Sequence, residues 1–148
     1  MNTRLAVATH ILTFLAFRQG RPASSEMIAR SVNTNASLVR RMLSQLSRAG
    51  LTRSSKGSAG GAELARDPAT ITLLDVYGAV DDDRGMFGLH PSPNPLCPVG
   101  RNIAAALQPH LDRSESSMLR QLEGTTIAAL AAIVTLNSAT SSSPAGGH

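Results

Sequence analysis

Residues 24–65 read SSEMIARSVNTNASLVRRMLSQLSRAGLTRSSKGSAGGAELA, and the order of elements in this stretch decides the fold. Ser24 or Ser25 opens a short helix whose buried face is Met27, Ile28 and Ala29 and which runs out near Val32–Asn33. Asn33-Thr34-Asn35 is a turn, and its last residue can cap a further helix. That helix carries Leu38, Val39, Met42, Leu43 and Leu46 at i, i+4, i+7 spacing. Its opposite face holds Ser37, Arg40, Arg41, Ser44 and Arg48, and Gly50 ends it. Leu51 to Ser55 then reads as a strand, Lys56-Gly57-Ser58-Ala59-Gly60-Gly61 as a glycine-rich tip, and Ala62 to Ala65 as the returning strand.

Outward from this stretch, residues 3–18 place Leu5, Ala8, Ile11 or Leu12, Leu15 and Ala16 at helical spacing, and Gly20 with Pro22 stops that helix. Downstream, Asp67-Pro68 introduces a short helix from about Leu73 to Val80. A helix, two helices joined by a tight turn, and a hairpin make a winged helix-turn-helix over residues 1–80. The fold class is therefore mainly α with a small β-wing, followed by long C-terminal dimerisation helices.

Residues 81–98 open on Asp81-Asp82-Asp83 and contain Gly85, Gly88 and Pro91, Pro93, Pro95 and Pro98, so they form an irregular linker, a candidate sensor loop. Val99, Ile103, Leu107, Leu111, Met118 and Leu122 then form one stripe over about 99–123, inside which Pro109 is expected to kink the helix or divide it. A last helix over about 126–137 is apolar on nearly every side (Ile127, Leu130, Ile133, Val134, Leu136). With little domain left to cover them, residues 99–137 predict a homodimer. The Ser/Gly/Ala-rich tail, 138–148, is expected to be disordered.

With 148 residues, 42% hydrophobic and 16% charged, the chain is one ordinary domain or one domain with a helical appendage. Its net charge of +4 is unevenly spread: residues 1–66 hold ten basic groups against two acidic (+8), and residues 67–148 hold four against eight (−4). A basic first half suits a polyanion. Only Phe14, Phe17, Phe87 and Tyr77 are aromatic, which argues against a base-stacking single-strand binder. One cysteine, Cys97, excludes a disulfide framework and any multi-cysteine zinc or iron–sulfur site within one chain. The longest apolar run, Ile127 to Leu136, is too short to cross a bilayer, and no signal peptide is legible, so a cytoplasmic protein without membrane contact is expected.

A helix-turn-helix lays its second helix in the major groove of double-stranded DNA, and the helix N-termini face phosphate. The candidate DNA-binding residues are Ser24, Ser25, Thr34, Asn35, Ser37, Arg40 and Arg41, with Lys56 and Ser58 on the wing. The rival readings are a winged domain that binds only proteins and a Cys97/His90 enzyme. The latter lacks any legible oxyanion hole or orienting third group, and no catalytic residue is assigned.

Residues 24–65 resemble the Rrf-two family of bacterial winged-helix regulators, above all through Leu43-Ser44-Gln45-Leu46-Ser47-Arg48-Ala49-Gly50-Leu51 and the glycine-rich tip. That family includes the cluster-containing IscR and NsrR and the cluster-free CymR. Val32 to Asn35, Val39 to Met42, His90-Pro91 to Asn94 and Cys97-Pro98-Val99-Gly100 are most similar to its YwnA-like, cluster-free branch, and the likeness runs from about residue 3 to 136. The resemblance implies a dimer binding an inverted-repeat operator through the third helix and the wing, and the function expected is that of a transcriptional regulator, a repressor. In it, Ser37 and Arg40 fall where the family reads bases and Lys56 falls on the wing's basic position. Some members carry glutamate where this chain has Arg40, which implies a different operator.

Cluster-binding members present three cysteines before the long helix. With Cys97 alone, no iron–sulfur cluster, metal or other cofactor is expected. Cys97, followed by Pro98 at the first helical position, stands at a helix N-terminus that favours thiolate. It is an oxidant sensor, a small-effector contact or a packing residue, with His90 fastening the same loop or lining an effector pocket.

Overall fold

The computed structural model describes residues 2–81 and 85–141. Helix α1 (Arg4–Phe17) buries Ala8, Ile11, Leu12 and Leu15 and ends where Gly20 takes a positive φ of 84°. Helix α2 (Ser25–Val32) is capped by the Ser24 hydroxyl, which accepts from the Met27 N–H at 3.2 Å, and it closes on Asn33 in the left-handed conformation. Helix α3 (Ala36–Arg48) is capped by Asn35, whose side-chain oxygen accepts from the Leu38 N–H at 2.8 Å. Val39, Met42 and Leu46 of α3 pack into the core with Ile28 and Leu51.

Strands β1 (Thr52–Ser55) and β2 (Gly61–Leu64) pair antiparallel, Thr52 opposite Leu64 and Ser55 opposite Gly61. The returning strand is thus one residue earlier than the Ala62–Ala65 expected. Ala23 exchanges two backbone hydrogen bonds with Ala62 (3.0 and 2.8 Å) and ties the wing root to the entry of α2. A single 3-10 turn (Pro68–Thr70) leads to α4 (Leu73–Val80), opened by a reciprocal capping box between Thr72 and Asp75.

Helix α5 (Pro98–Glu123) has 26 residues, about 39 Å of rod, and buries none of them completely. Of the two outcomes expected at Pro109, a kink or a division, the helix is not divided. Ala105, whose carbonyl the proline deprives of a helical donor, is exposed to water, and Gln108 bonds Asp112 at 2.7 Å across the same turn. Helix α6 (Ile127–Ser141) runs four residues beyond the expected limit of 137, into what was read as disordered tail. Hydroxyls there return hydrogen bonds to the preceding turn, Ser138 to Val134 and Ser141 to Asn137, both at 2.8 Å, so these polar residues do not unwind it. Residues 142–148 of that expected tail, and Asp82 and Asp83 of the acidic run, lie outside the described residues.

The last helix does not wait wholly for a partner. Ile127 is fully buried in the same core as Ile71, Val76 and Val80. Its N–H donates to the Ile71 carbonyl, and the Leu73 N–H donates to the Thr125 carbonyl, both at 2.9 Å. What stays uncovered is the α5 stripe (Val99, Ile103, Leu107) and an apolar groove of about 830 Å³ between α1 and α6, walled by Leu5, Phe14, Phe17, Leu130, Ile133 and Val134.

Truncating a fully buried isoleucine leaves a cavity, so Ile127→Ala is expected to lower unfolding free energy by about 2–5 kcal/mol in urea denaturation. A loss below about 0.5 kcal/mol, the range of an ordinary surface change, would show that α6 is not seated in the core.

Candidate nucleic-acid interface

The face opposite the α3 core contacts is polar and cationic. Ser37, Arg40, Arg41, Ser44, Ser47 and Arg48 are all exposed along it. The turn before it is held rigidly, because Asn33 accepts a positive φ of 62° and the Thr34 N–H closes back on the Ala29 carbonyl at 3.0 Å. Of the expected site residues, Ser24 and Asn35 therefore spend a side-chain acceptor on capping α2 and α3, which aims both N-termini. Ser25 stands in the first turn of α2, beside Arg40 on the wall of a cleft of about 540 Å³. That cleft continues along Ser44, Ser47 and Arg48 of α3 to Thr52, Arg53 and Ser54 of β1, so α3 and the wing root share one surface.

Lys56 and Ser58 stand exposed at the wing tip, beyond the cleft. The tip turns tightly because Gly57 has a φ of 104°. At Gly61 a side chain would collide with the Ala23 backbone, so glycine is what lets the wing lie against the entry to α2.

Arg53 and Ser47 were not among the candidates read from the sequence. Arg53 follows buried Thr52 in β1, and strand alternation turns it outward beside the cleft. Two ion pairs cross this face: Arg40 to Glu26 at 3.4 Å and Arg53 to Glu63, its directly opposite residue, at 3.0 Å.

Residues 85–97 carry no helix or strand. Cys97 is the N-cap residue of α5, with Pro98 in the first turn, and its backbone N–H donates to the Asn94 carbonyl at 3.3 Å. No capping hydrogen bond of ordinary geometry closes on its sulfur, yet the backbone N–H groups of Gly100 and then Val99 favour the thiolate and hold the thiol below its usual range. His90 is exposed in the same segment. Gly100 is packed so closely on the Asn94 backbone that a side chain there would collide with it, fastening the segment to the start of α5. No helix among the described residues is long and apolar enough to cross a membrane.

Comparison with known proteins gives one consistent picture. A family model described as Rrf2, iron-dependent transcriptional regulator, matches residues 1–133. The chain is 45% identical over 122 residues to YwnA of Bacillus subtilis, named as an HTH-type transcriptional regulator, covering 82% of this chain and 90% of YwnA. Among solved structures, a protein described as DNA binding is 38% identical, with a TM-score of 0.68 over 86% of this chain and 97% of its own. CymR of B. subtilis, described as the global cysteine regulator, shares the fold at 24% identity and a TM-score of 0.69 over 90% and 96% of the two chains. IscR of T. potens does so at 22% and 0.68 over 99% and 93%.

The iron in the family's description does not fit these residues. The chain has one cysteine, and among the described residues no group of three or more His, Cys, Asp or Glu side chains could hold a metal ion. A cluster that takes three thiolates from each chain lacks its donors. Cys97 is left as a thiol whose chemistry follows its own acidity. Because its pKa is lowered, the thiolate fraction at neutral pH exceeds that of an ordinary cysteine. The rate of alkylation by iodoacetamide should therefore reach half its maximum at a lower pH than for a free cysteine peptide. A midpoint at or above that of the peptide would contradict the role given to the Gly100 and Val99 N–H groups.

Proposed function

The chain belongs to the Rrf2 family of transcriptional regulators, and from that premise we propose that it is a homodimeric repressor on an inverted-repeat DNA operator. In this reading α3 enters the major groove, where Ser37, Arg40 and Arg41 reach base edges and phosphates. Lys56 and Ser58 carry the wing to the neighbouring backbone, and the N-termini of α2 and α3, with Ser24, Ser25, Thr34 and Asn35, face phosphate. The observation that carries the reading is the shared cationic surface of α3 and the wing root, on a chain whose first 66 residues hold a net charge of +8. A transcriptional regulator acts where the DNA is, so the protein works in the cytoplasm. Its relatives are regulators, not enzymes, which leaves the Cys97/His90 hydrolase without support.

The dimer rests on α5. Val99, Ile103 and Leu107 lie along one side of a helix that projects from the domain and buries nothing completely within its own chain. An uncovered stripe of this kind on a long helix is the seam of a helix pair. Two recognition helices must sit one helical turn apart to fit both half-sites, so any movement of α5 changes operator affinity. The segment 85–97 is joined directly to α5 through Cys97. Oxidation of that thiolate by peroxide to the sulfenic acid, or a small effector bound against His90 and Cys97, is the regulatory input in this reading.

One experiment separates the parts. Fluorescence anisotropy with the DNA upstream of the protein's own gene should show tight binding that weakens steeply with salt. Lys56→Ala should flatten the logarithmic salt slope by about one. Peroxide should release the DNA from the wild type but not from Cys97→Ser. Binding that ignores peroxide would move the input to an effector. Affinity indifferent to Lys56→Ala, Arg40→Ala and Arg41→Ala alike would make the winged helix a protein-interaction module.

A further inference from the structure

Residues 1–66 contain only two acids, Glu26 and Glu63, and each is paired with an arginine on the proposed DNA face. Glu63 lies directly opposite Arg53 in the hairpin, so an ordinary cross-strand pair explains it. Glu26 is different. It stands in the first turn of α2, fourteen residues before Arg40, and meets it only because the rigid turn crosses the two helices at a fixed angle. The Arg40 Nη1 donates to Glu26 Oε1 at 3.4 Å while Nη2 donates to Ser37 Oγ at 3.5 Å.

Stability does not account for this pair. Both side chains are more than half exposed (57% and 66%), and exposed ion pairs contribute little to folding. Phosphate attraction does not account for it either, since a carboxylate on this face repels the DNA backbone. What the contact does achieve is geometric. A free arginine side chain samples many rotamers, whereas contacts from Nη1 to Glu26 and from Nη2 to Ser37 narrow the orientations of its guanidinium plane. Bidentate reading of a guanine edge needs that plane held.

We infer that Glu26 is a specificity-determining positioning residue: it orients Arg40 for base reading, while its charge weakens contact with the phosphates of any sequence alike. The inference rests on the DNA-binding reading above and adds to it a residue outside the recognition helix.

The test begins by selecting the preferred duplex from a pool of random sequences with the wild-type protein. The readout is the ratio of affinities for that duplex and for a scrambled duplex of the same composition. Glu26→Gln keeps the shape and removes the charge. It should bind the scrambled duplex about two- to fivefold tighter at low salt and lose at least about fivefold in the ratio. Glu26→Asp, which keeps the charge but shortens the reach, should lose the ratio without gaining on scrambled DNA. On an Arg40→Ala background both substitutions should leave the ratio unchanged, because there is no guanidinium left to orient. An undiminished ratio in Glu26→Gln, or the same loss with Arg40 absent, would overturn the inference while leaving DNA binding intact. A wild-type protein that enriches no sequence from the pool would overturn the DNA-binding reading itself. Thermal melts of each variant confirm that the ratio is read from folded protein.

Discussion

The turn Asn33-Thr34-Asn35 is the constraint on which the proposed interface depends. Asn33 tolerates the left-handed backbone that reverses the chain, Thr34 closes the end of α2, and Asn35 starts α3 with its own side chain. Three residues with so little freedom fix the angle between two helices. That angle decides which side chains of α3 face outward and which acid of α2 meets them. The cationic face is thus a consequence of turn chemistry as much as of arginine content, and the Arg40–Glu26 contact is its most direct product.

A second set of backbone contacts makes the C-terminal helices part of the same body. Ala23 pairs with Ala62, so the wing moves with α2. Leu73 pairs with Thr125 and Ile127 with Ile71, so α6 moves with α4. Helix α5 is the connection between α4 and α6 through the segment that holds Cys97, and it carries the uncovered apolar stripe. A change at the N-terminus of α5 therefore reaches a helix anchored at its far end to the core that also holds α3. In the dimer we propose, this is the route by which a small event near Cys97 would alter the spacing of two half-site readers.

Much of this was legible in the sequence because its signals are local. Ser24, Asn35 and Gly50 punctuate the helices by their own backbone and side-chain chemistry, and the apolar spacing of Val39, Met42 and Leu46 needs no tertiary context. The bounds of β2 lie one residue earlier than its own residues suggest, where Ala62 pairs with Ala23, far away in the chain. Pro109 could kink the helix or divide it by its residue type alone; the helix runs on through it, and the carbonyl it leaves without a helical donor belongs to exposed Ala105. Ile127 looked like one member of a greasy helix awaiting a partner, since periodicity alone cannot say which apolar residue finds the core. Arg53 and Glu26 were passed over for a similar reason. Their significance comes from what two separate elements place beside them.

The central claim is that a symmetric pair of these chains reads DNA with two copies of α3. Hydroxyl-radical footprinting of the purified protein on the region upstream of its own gene tests it most directly. The account predicts two protected patches related by a twofold axis, their centres one helical turn or a whole multiple of it apart, about 34–36 Å per turn. A single unsymmetrical patch would contradict the dimer, and protection that appears only uniformly along the duplex would contradict sequence reading by the winged helix.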